Sequence, residues 1–156
     1  PDGKYLASGS GDKTIKLWEI RYDTSEKNYS HENSIQETEI KKANIVEEFA
    51  TELDQKLAAA YNNWGLAYCN KGGYDRAIAD YTKAIELDPK LAAAYNNRGC
   101  AYDNKGDYDR AIADYTKAIE LDPKFALAYN NRGLVYKKAG KKIEAQRDFE
   151  KAKSLK

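Results

Sequence analysis

One histidine, His31, and two cysteines, Cys69 and Cys100, are all that this chain offers of the side chains that most often hold metals. His31 has no cysteine or carboxylate cluster around it. Two thiols without further ligands make a poor zinc site, and two cysteines do not make a disulfide framework. No metal and no cofactor is expected, and a reducing compartment, the cytoplasm, is. There is no run of 18 apolar residues, which excludes a membrane-spanning helix by length. No signal peptide is visible, in a chain that starts at Pro1 without methionine. Equally missing are a glycine-rich phosphate loop after a strand and any nucleophile–base spacing, so no catalytic residue is assigned and no enzyme is expected.

Net charge is scarce too. Lys and Arg number 26 against 25 Asp and Glu, so no global field recruits nucleic acid or a membrane. The balance is uneven along the chain. Residues 1–54 carry 7 Lys/Arg against 12 Asp/Glu, whereas residues 126–156 carry 9 against 3. Within that basic end, Lys137, Lys138, Lys141 and Lys142 cluster around a turn. The cluster has no interleaved aromatic platform for bases. It reads as a solvated surface that would attract an acidic segment.

What is present is repetition. Tyr61, Tyr95 and Tyr129 are 34 residues apart, as are Gly65, Gly99 and Gly133, and Ala77, Ala111 and Ala145. Such a period marks a repeat architecture. Each copy reads as two helices, from Ala92 to Asn104 and from Tyr108 to Leu121 in the middle copy. Gly106 is free to take the left-handed conformation that ends the first helix. Asp122-Pro123 ends the second, because the residue before proline avoids helical angles. Tyr95, Gly99 and Tyr102 fall at helical spacing, and so do Tyr108, Ala111, Ile112, Tyr115, Ala118 and Ile119. One helix pair cannot cover its own apolar face, so copies stack into a solenoid.

The positions Tyr95, Gly99, Tyr102, Ala111, Tyr115, Ala118 and Pro123 resemble the signature of the tetratricopeptide repeat, over roughly Ala58 to Lys156. The resemblance implies an all-α, right-handed superhelical array of three helix-turn-helix repeats at 58–91, 92–125 and 126–156. It also implies a concave groove lined by first helices and a role in binding proteins. In the last repeat the counterparts of Ile112 and Ile119 are Gln146 and Lys153. That repeat reads as its own polar cap.

Upstream, residues 1–20 resemble the closing half of a WD40 propeller repeat, with short strands at Lys4–Ser8 and Thr14–Ile20 and Leu17-Trp18-Glu19 at the end. Half a blade is marginal in water. It reads as a propeller remnant, a loose tail, or a hairpin that pairs with another copy. Residues 21–34 are polar and read as a linker. Residues 35–54 read as an N-terminal capping helix, with Ala43, Ala50 and Leu53 where a second repeat helix places them. The next junction is Asp54-Gln55-Lys56-Leu57, where later copies have Asp-Pro-Lys. Two outcomes stay open: a surviving turn by analogy, or one continuous helix over residues 38–70, because glutamine does not forbid helix. The second outcome favours exchange with a neighbouring chain through residues 1–57.

The resemblance places the groove at Asn62, Asn63, Leu66 and Asn70, at Asn96, Asn97, Asp103 and Asn104, and at Leu127, Asn130, Asn131, Leu134, Lys137 and Lys138. A ladder of Asn63, Asn97 and Asn131 would clasp a peptide backbone, since an amide both donates and accepts. The competing reading is that these amides bond along their own helices and merely solvate the surface. Cys69 and Cys100 fall on the same expected face. The family's clamp for a chaperone C-terminal carboxylate needs lysine, asparagine, asparagine, lysine and arginine. The matching positions are Asn62, Leu66, Asn97, Leu127 and Asn131, so only Asn97 fits and the clamp is rejected. Arg98 and Arg132 stand where the family has leucine. They are expected to pair structurally with the repeat carboxylates Asp80, Asp114 and Asp148. Trp64 replaces the arginine in the first repeat.

The expected function is a non-enzymatic scaffold or adaptor that holds a protein or peptide partner, with no nucleic acid and no membrane. Self-assembly through the N-terminal segment and a regulatory domain of a larger protein are the alternatives.

Overall fold

The computed structural model describes the backbone of residues 13–155 and the side chains of residues 36–155. All regular structure among them is helical: α1 Lys13–Asn70, α2 Tyr74–Leu87, α3 Ala92–Asn104, α4 Tyr108–Leu121, α5 Ala126–Lys138 and α6 Lys142–Ser154. The chain divides into two units, Pro1–Phe49 and Ala50–Lys156.

The first unit corrects two expectations. Thr14–Ile20, read as a strand, is helical, and so is the stretch read as a linker at 21–34. The strand read at Lys4–Ser8 lies outside the described residues. From Asp12 to Trp64 the chain has neither glycine nor proline. β-branched residues such as Thr14 and Ile15 lower helix propensity by only a few tenths of a kcal/mol each, roughly 0.7 at most. A two-residue period without a sheet to join loses to an uninterrupted helix. Ile40, Ile45, Val46 and Phe49 are all more than half exposed.

The second unit opens with a third correction. A separate capping helix closed by a turn at Asp54–Leu57 does not form; α1 runs on through Gln55 to Asn70. At the equivalent places Asp88 and Asp122 are extended, with φ −133° in both, and end α2 and α4 before Pro89 and Pro123. Proline makes that difference.

The inner turns are uniform. Gly72, Gly106 and Gly140 sit at φ 78°, 80° and 78°. Beside them, the amides of Gly73, Asp107 and Lys141 reach back to the carbonyls of Tyr68, Tyr102 and Tyr136 at 2.9, 2.9 and 2.8 Å. This closes each first helix with bonds its own ladder leaves open.

Small residues set how closely the helices pack. A methyl group at Gly99 would lie 2.9 Å from Cε1 of Tyr115, and one at Gly133 would lie 2.7 Å from Cε1 of Phe149. Tyr81 and Tyr115 are almost wholly buried, and Ala77, Ala84, Ala94, Ala101, Ala111, Ala118 and Ala128 are inaccessible. Ala101 packs with Ala77 and Tyr81, and Val135 packs with Ala111 and Tyr115, so each second helix seals the next repeat's first helix. In α6 Gln146 and Lys153 are exposed, and Ile143 is 76% exposed.

Candidate functional site

Two arginines tie the repeats together. Arg98 donates from Nε and Nη2 to the two carboxylate oxygens of Asp114, both at 2.8 Å, and from Nη1 to Thr82 Oγ1 at 3.1 Å. Arg132 repeats this with Asp148 at 2.8 and 2.9 Å and Thr116 at 3.0 Å. Each guanidinium therefore joins its own helix, the following one and the preceding one. The hydrogen bonds that Arg98 donates to Asp114 are the main reason it holds its proton more tightly, and those to Asp148 do the same for Arg132.

Asp80 departs from the expected pattern and is corrected here. It is 6% exposed, its Oδ2 has no hydrogen-bond partner, and Arg76 Nε stands 3.6 Å from Oδ1. The guanidinium that would serve it belongs at position 64, which is tryptophan.

The first-helix asparagines form a chain rather than a row of independent amides. Asn97 donates to Asn62 Oδ1 at 3.0 Å. Asn96 donates to Asn97 Oδ1 at 3.3 Å and accepts from Asn131 at 3.1 Å. Asn131 also approaches Cys100 Sγ at 3.6 Å. Asn96, read from the sequence as a groove residue, is 2% exposed, which corrects that reading. Its amide is consumed between α3 and α5, where the two helices come close. Asn62, Asn97 and Asn131 are half-buried, while Asn63, Asn70 and Asn130 are exposed.

Around this chain the unit exposes Leu66, Leu127 and Leu134, each between 44% and 52%. Part of the charge at the edge is paired. Lys138 binds both oxygens of Asp103 at 2.7 and 2.8 Å, across adjacent repeats. Asn104 donates to the Cys100 carbonyl at 2.8 Å and accepts from Tyr74 at 3.5 Å. Lys137 is exposed. The Asp103–Lys138 pair was not foreseen; the 35-residue separation, one more than the period, is the signal that could have found it.

The thiols turn inward. Tyr115 donates to Cys100 Sγ at 3.3 Å, and Cys69 packs against Ala77 and Tyr81. Burial is the main reason both thiols hold their protons above the ordinary 9.0. Both are free, and the described residues contain no cluster of three or more metal ligands. No helix among the described residues is long and apolar enough to cross a membrane.

Comparison with known proteins adds three family matches. The tetratricopeptide repeat description matches residues 92–125 and, in a second version, 114–147; a further TPR repeat description matches residues 65–106. Among solved structures, the second TPR of Spaghetti (RPAP3) bound to an HSP90 peptide is 34% identical with TM-score 0.66. The match covers 69% of this chain and 98% of that one. The second TPR domain of human RPAP3, in complex with an HSP70 peptide, is 32% identical with TM-score 0.62, covering 68% and 86%. The Arabidopsis OM64 TPR domain is 29% identical with TM-score 0.65, covering 66% and 85%. The curated proteins return no match.

Proposed function

Because this chain belongs to the tetratricopeptide repeat family, we propose that it is a non-enzymatic adaptor whose first-helix face holds an extended peptide of a partner protein. The peptide complexes of similar domains support this reading, since the fold is shared over nearly their whole length. The chemistry of this face points to a different peptide from theirs.

The observation that carries this is the coexistence of exposed Leu66, Leu127 and Leu134 with exposed amides at Asn63 and Asn130. Leucines 44–52% exposed offer apolar pockets for alternate side chains, and amides offer a donor and an acceptor to the peptide backbone. Asn63, Asn97 and Asn131 were read as one ladder; Asn97 and Asn131 are already occupied by Asn62 and Asn96. Asn63 and Asn130 therefore take the backbone-clasping role. Lys138 is neutralised by Asp103, and positions 62, 66, 127 and 131 hold no cation. A carboxylate-terminated acidic tail loses its charge-assisted bonds here. The ligand is an uncharged extended segment with apolar side chains.

The test is selection of extended peptides from a displayed library on the immobilised chain. Enriched peptides should be apolar and uncharged. Asn63→Ala with Asn130→Ala should weaken their binding about tenfold, roughly one hydrogen bond's worth of free energy, with the melting temperature unchanged. The peptide SRMEEVD should bind far more weakly than the selected ones. Strong binding of that acidic peptide, or selected binding indifferent to both asparagines, would overturn the reading.

A further inference from the structure

The repeats contain their own comparison for what should cover the first of them. Ala101 and Val135 are inaccessible beneath α2 and α4, whereas their counterpart Ala67 is exposed. Ala94 and Ala128 are inaccessible, whereas Ala60 is only half-buried. Arg98 and Arg132 keep 18% and 15% of their side-chain surface, whereas Trp64 is 51% exposed. Tyr68 is 41% exposed and Leu57 39%. One helix-wide face of the first repeat is thus apolar and uncovered, and Tyr61 and Trp64 stack edge to face within it at 5.0 Å. Contiguous exposed apolar surface of this kind marks an interaction site.

The spacing along α1 says what covers it. Ala50, Leu53, Leu57, Ala60, Trp64 and Ala67 alternate steps of three and four, and the sequence carries the same spacing upstream through Val46 and Ala43. This is a heptad seam, the pattern of one helix packing along another. It is self-complementary when read backwards. Leu53 opposite Leu57 also sets Ala50 opposite Ala60, Val46 opposite Trp64 and Ala43 opposite Ala67. The same register sets Phe49 opposite Tyr61 and Asp54 opposite Lys56, a large apolar pair and an opposite-charge pair. Leu53, Val46 and Phe49 are each 65–68% exposed, so they are free to meet a partner.

An independent register agrees. Across α2 and α3 the structure pairs Thr82 with Arg98 and Tyr74 with Asn104. One period earlier these become Glu48 with Trp64 and Ile40 with Asn70, within two residues of the seam's own pairing. Gln55 lacks the proline that ends α2 and α4 at the equivalent junctions, and α1 continues through it.

We propose that a second copy of this chain covers this face. Two α1 helices pair antiparallel about a twofold axis near Gln55, each supplying the segment before Gln55 to the first repeat of the other. A twofold contact uses one patch on both partners, and this seam is one patch. The role is assembly of a dimer.

Sedimentation equilibrium of the full chain tests it, with variants chosen to act at the seam. The chain should weigh twice 17.6 kDa at micromolar concentration. Leu53→Glu with Leu57→Glu should raise the dissociation constant about a hundredfold or more, four central leucines being replaced by like charges, while α3–α6 keep their helical signal. Gln55→Pro restores the Asp-Pro-Lys junction of the later repeats and should give a folded monomer. A wild-type monomer throughout the micromolar range would overturn the proposal. So would a dimer that survives both variants, which would place the contact elsewhere. Spin labels at residue 55 should lie close together across the dimer and labels at residue 67 far apart; close labels at residue 67 would mean parallel pairing and reject the twofold seam.

Discussion

Arg98 and Asp114 form a two-bond fork, 2.8 Å on each arm, between α3 and α4, with 18% and 9% of their side chains exposed. The geometry is the strongest that a guanidinium and a carboxylate can make. Its third arm on Thr82 makes the pair a fastener between repeats as well as within one. Removing only the carboxylate leaves a largely buried cation. Asp114→Ala should lower unfolding free energy by about 3 kcal/mol, the low end for broken buried pairs because the guanidinium keeps some water. Arg98→Leu alone, or Arg98→Leu together with Asp114→Ala, should cost much less. Urea titration of the two single variants and the double variant closes the cycle; additive losses would show that the pair is not coupled.

The equivalent carboxylate in the first repeat should behave in the opposite way. Asp80 is as buried as Asp114 but has no guanidinium fork, and Oδ2 is unpartnered. Asp80→Asn removes a buried charge that nothing fully compensates and should leave stability unchanged or raise it by about 1 kcal/mol. Asp114→Asn should destabilise. Thermal melts side by side decide the matter, and equal losses would mean that Arg76 serves Asp80 as well as Arg98 serves Asp114.

Gly99 owes its place to the ring of Tyr115 rather than to backbone freedom. Its added methyl would sit 2.9, 3.0 and 3.2 Å from three atoms of the buried Tyr115 ring, so the ring or its helix must shift. Helix propensity favours alanine there by roughly 1 kcal/mol. Overpacking costs about 1–3 kcal/mol and should win. Gly99→Ala is expected to lower the melting temperature, and Gly99→Ala with Tyr115→Leu should recover part of the loss. A more stable Gly99→Ala would show that α3 and α4 slide apart at little cost.

Alkali should loosen the array before it ionises the folded core. Burial chiefly pushes the Cys100 thiol above 9.0 and the Tyr115 and Tyr81 phenols well above 10.0. The unfolded chain releases these protons at the ordinary values, so above them the folded state holds more protons. Stability is then full below about pH 9 and falls as pH rises, by up to ~1.4 kcal/mol per pH unit for each group. Urea midpoints measured from neutral pH upward should decline beyond pH 9.0. Cys100→Ala should flatten the first part of that decline. A flat profile to pH 10 would mean that the Cys100 thiol is as wet folded as unfolded.

The 34-residue period, the helix pairs and their turns were legible in the sequence, because each rests on local chemistry. Gly106 can turn left-handed at its φ of 80°, and the residue before Pro123 cannot stay helical. Spacing alone set Gly99 and Ala111 where helices approach. The Arg98–Asp114 pairing was legible in kind, since a buried guanidinium demands a carboxylate. Tertiary structure decided which carboxylate answers which arginine, because the common separation of 16 residues is set by how a first helix packs on the second helix of its own repeat. That separation falls on Trp64 for Asp80, which keeps only Arg76 at 3.6 Å, and Asn96 is consumed between α3 and α5. At Gln55, where sequence allowed both a turn and a helix, the chain stays helical because glutamine lacks the steric block that proline supplies at 89 and 123. Local rules fix where a helix runs and stops; which polar side chains meet across helices is chosen by the long-range contacts.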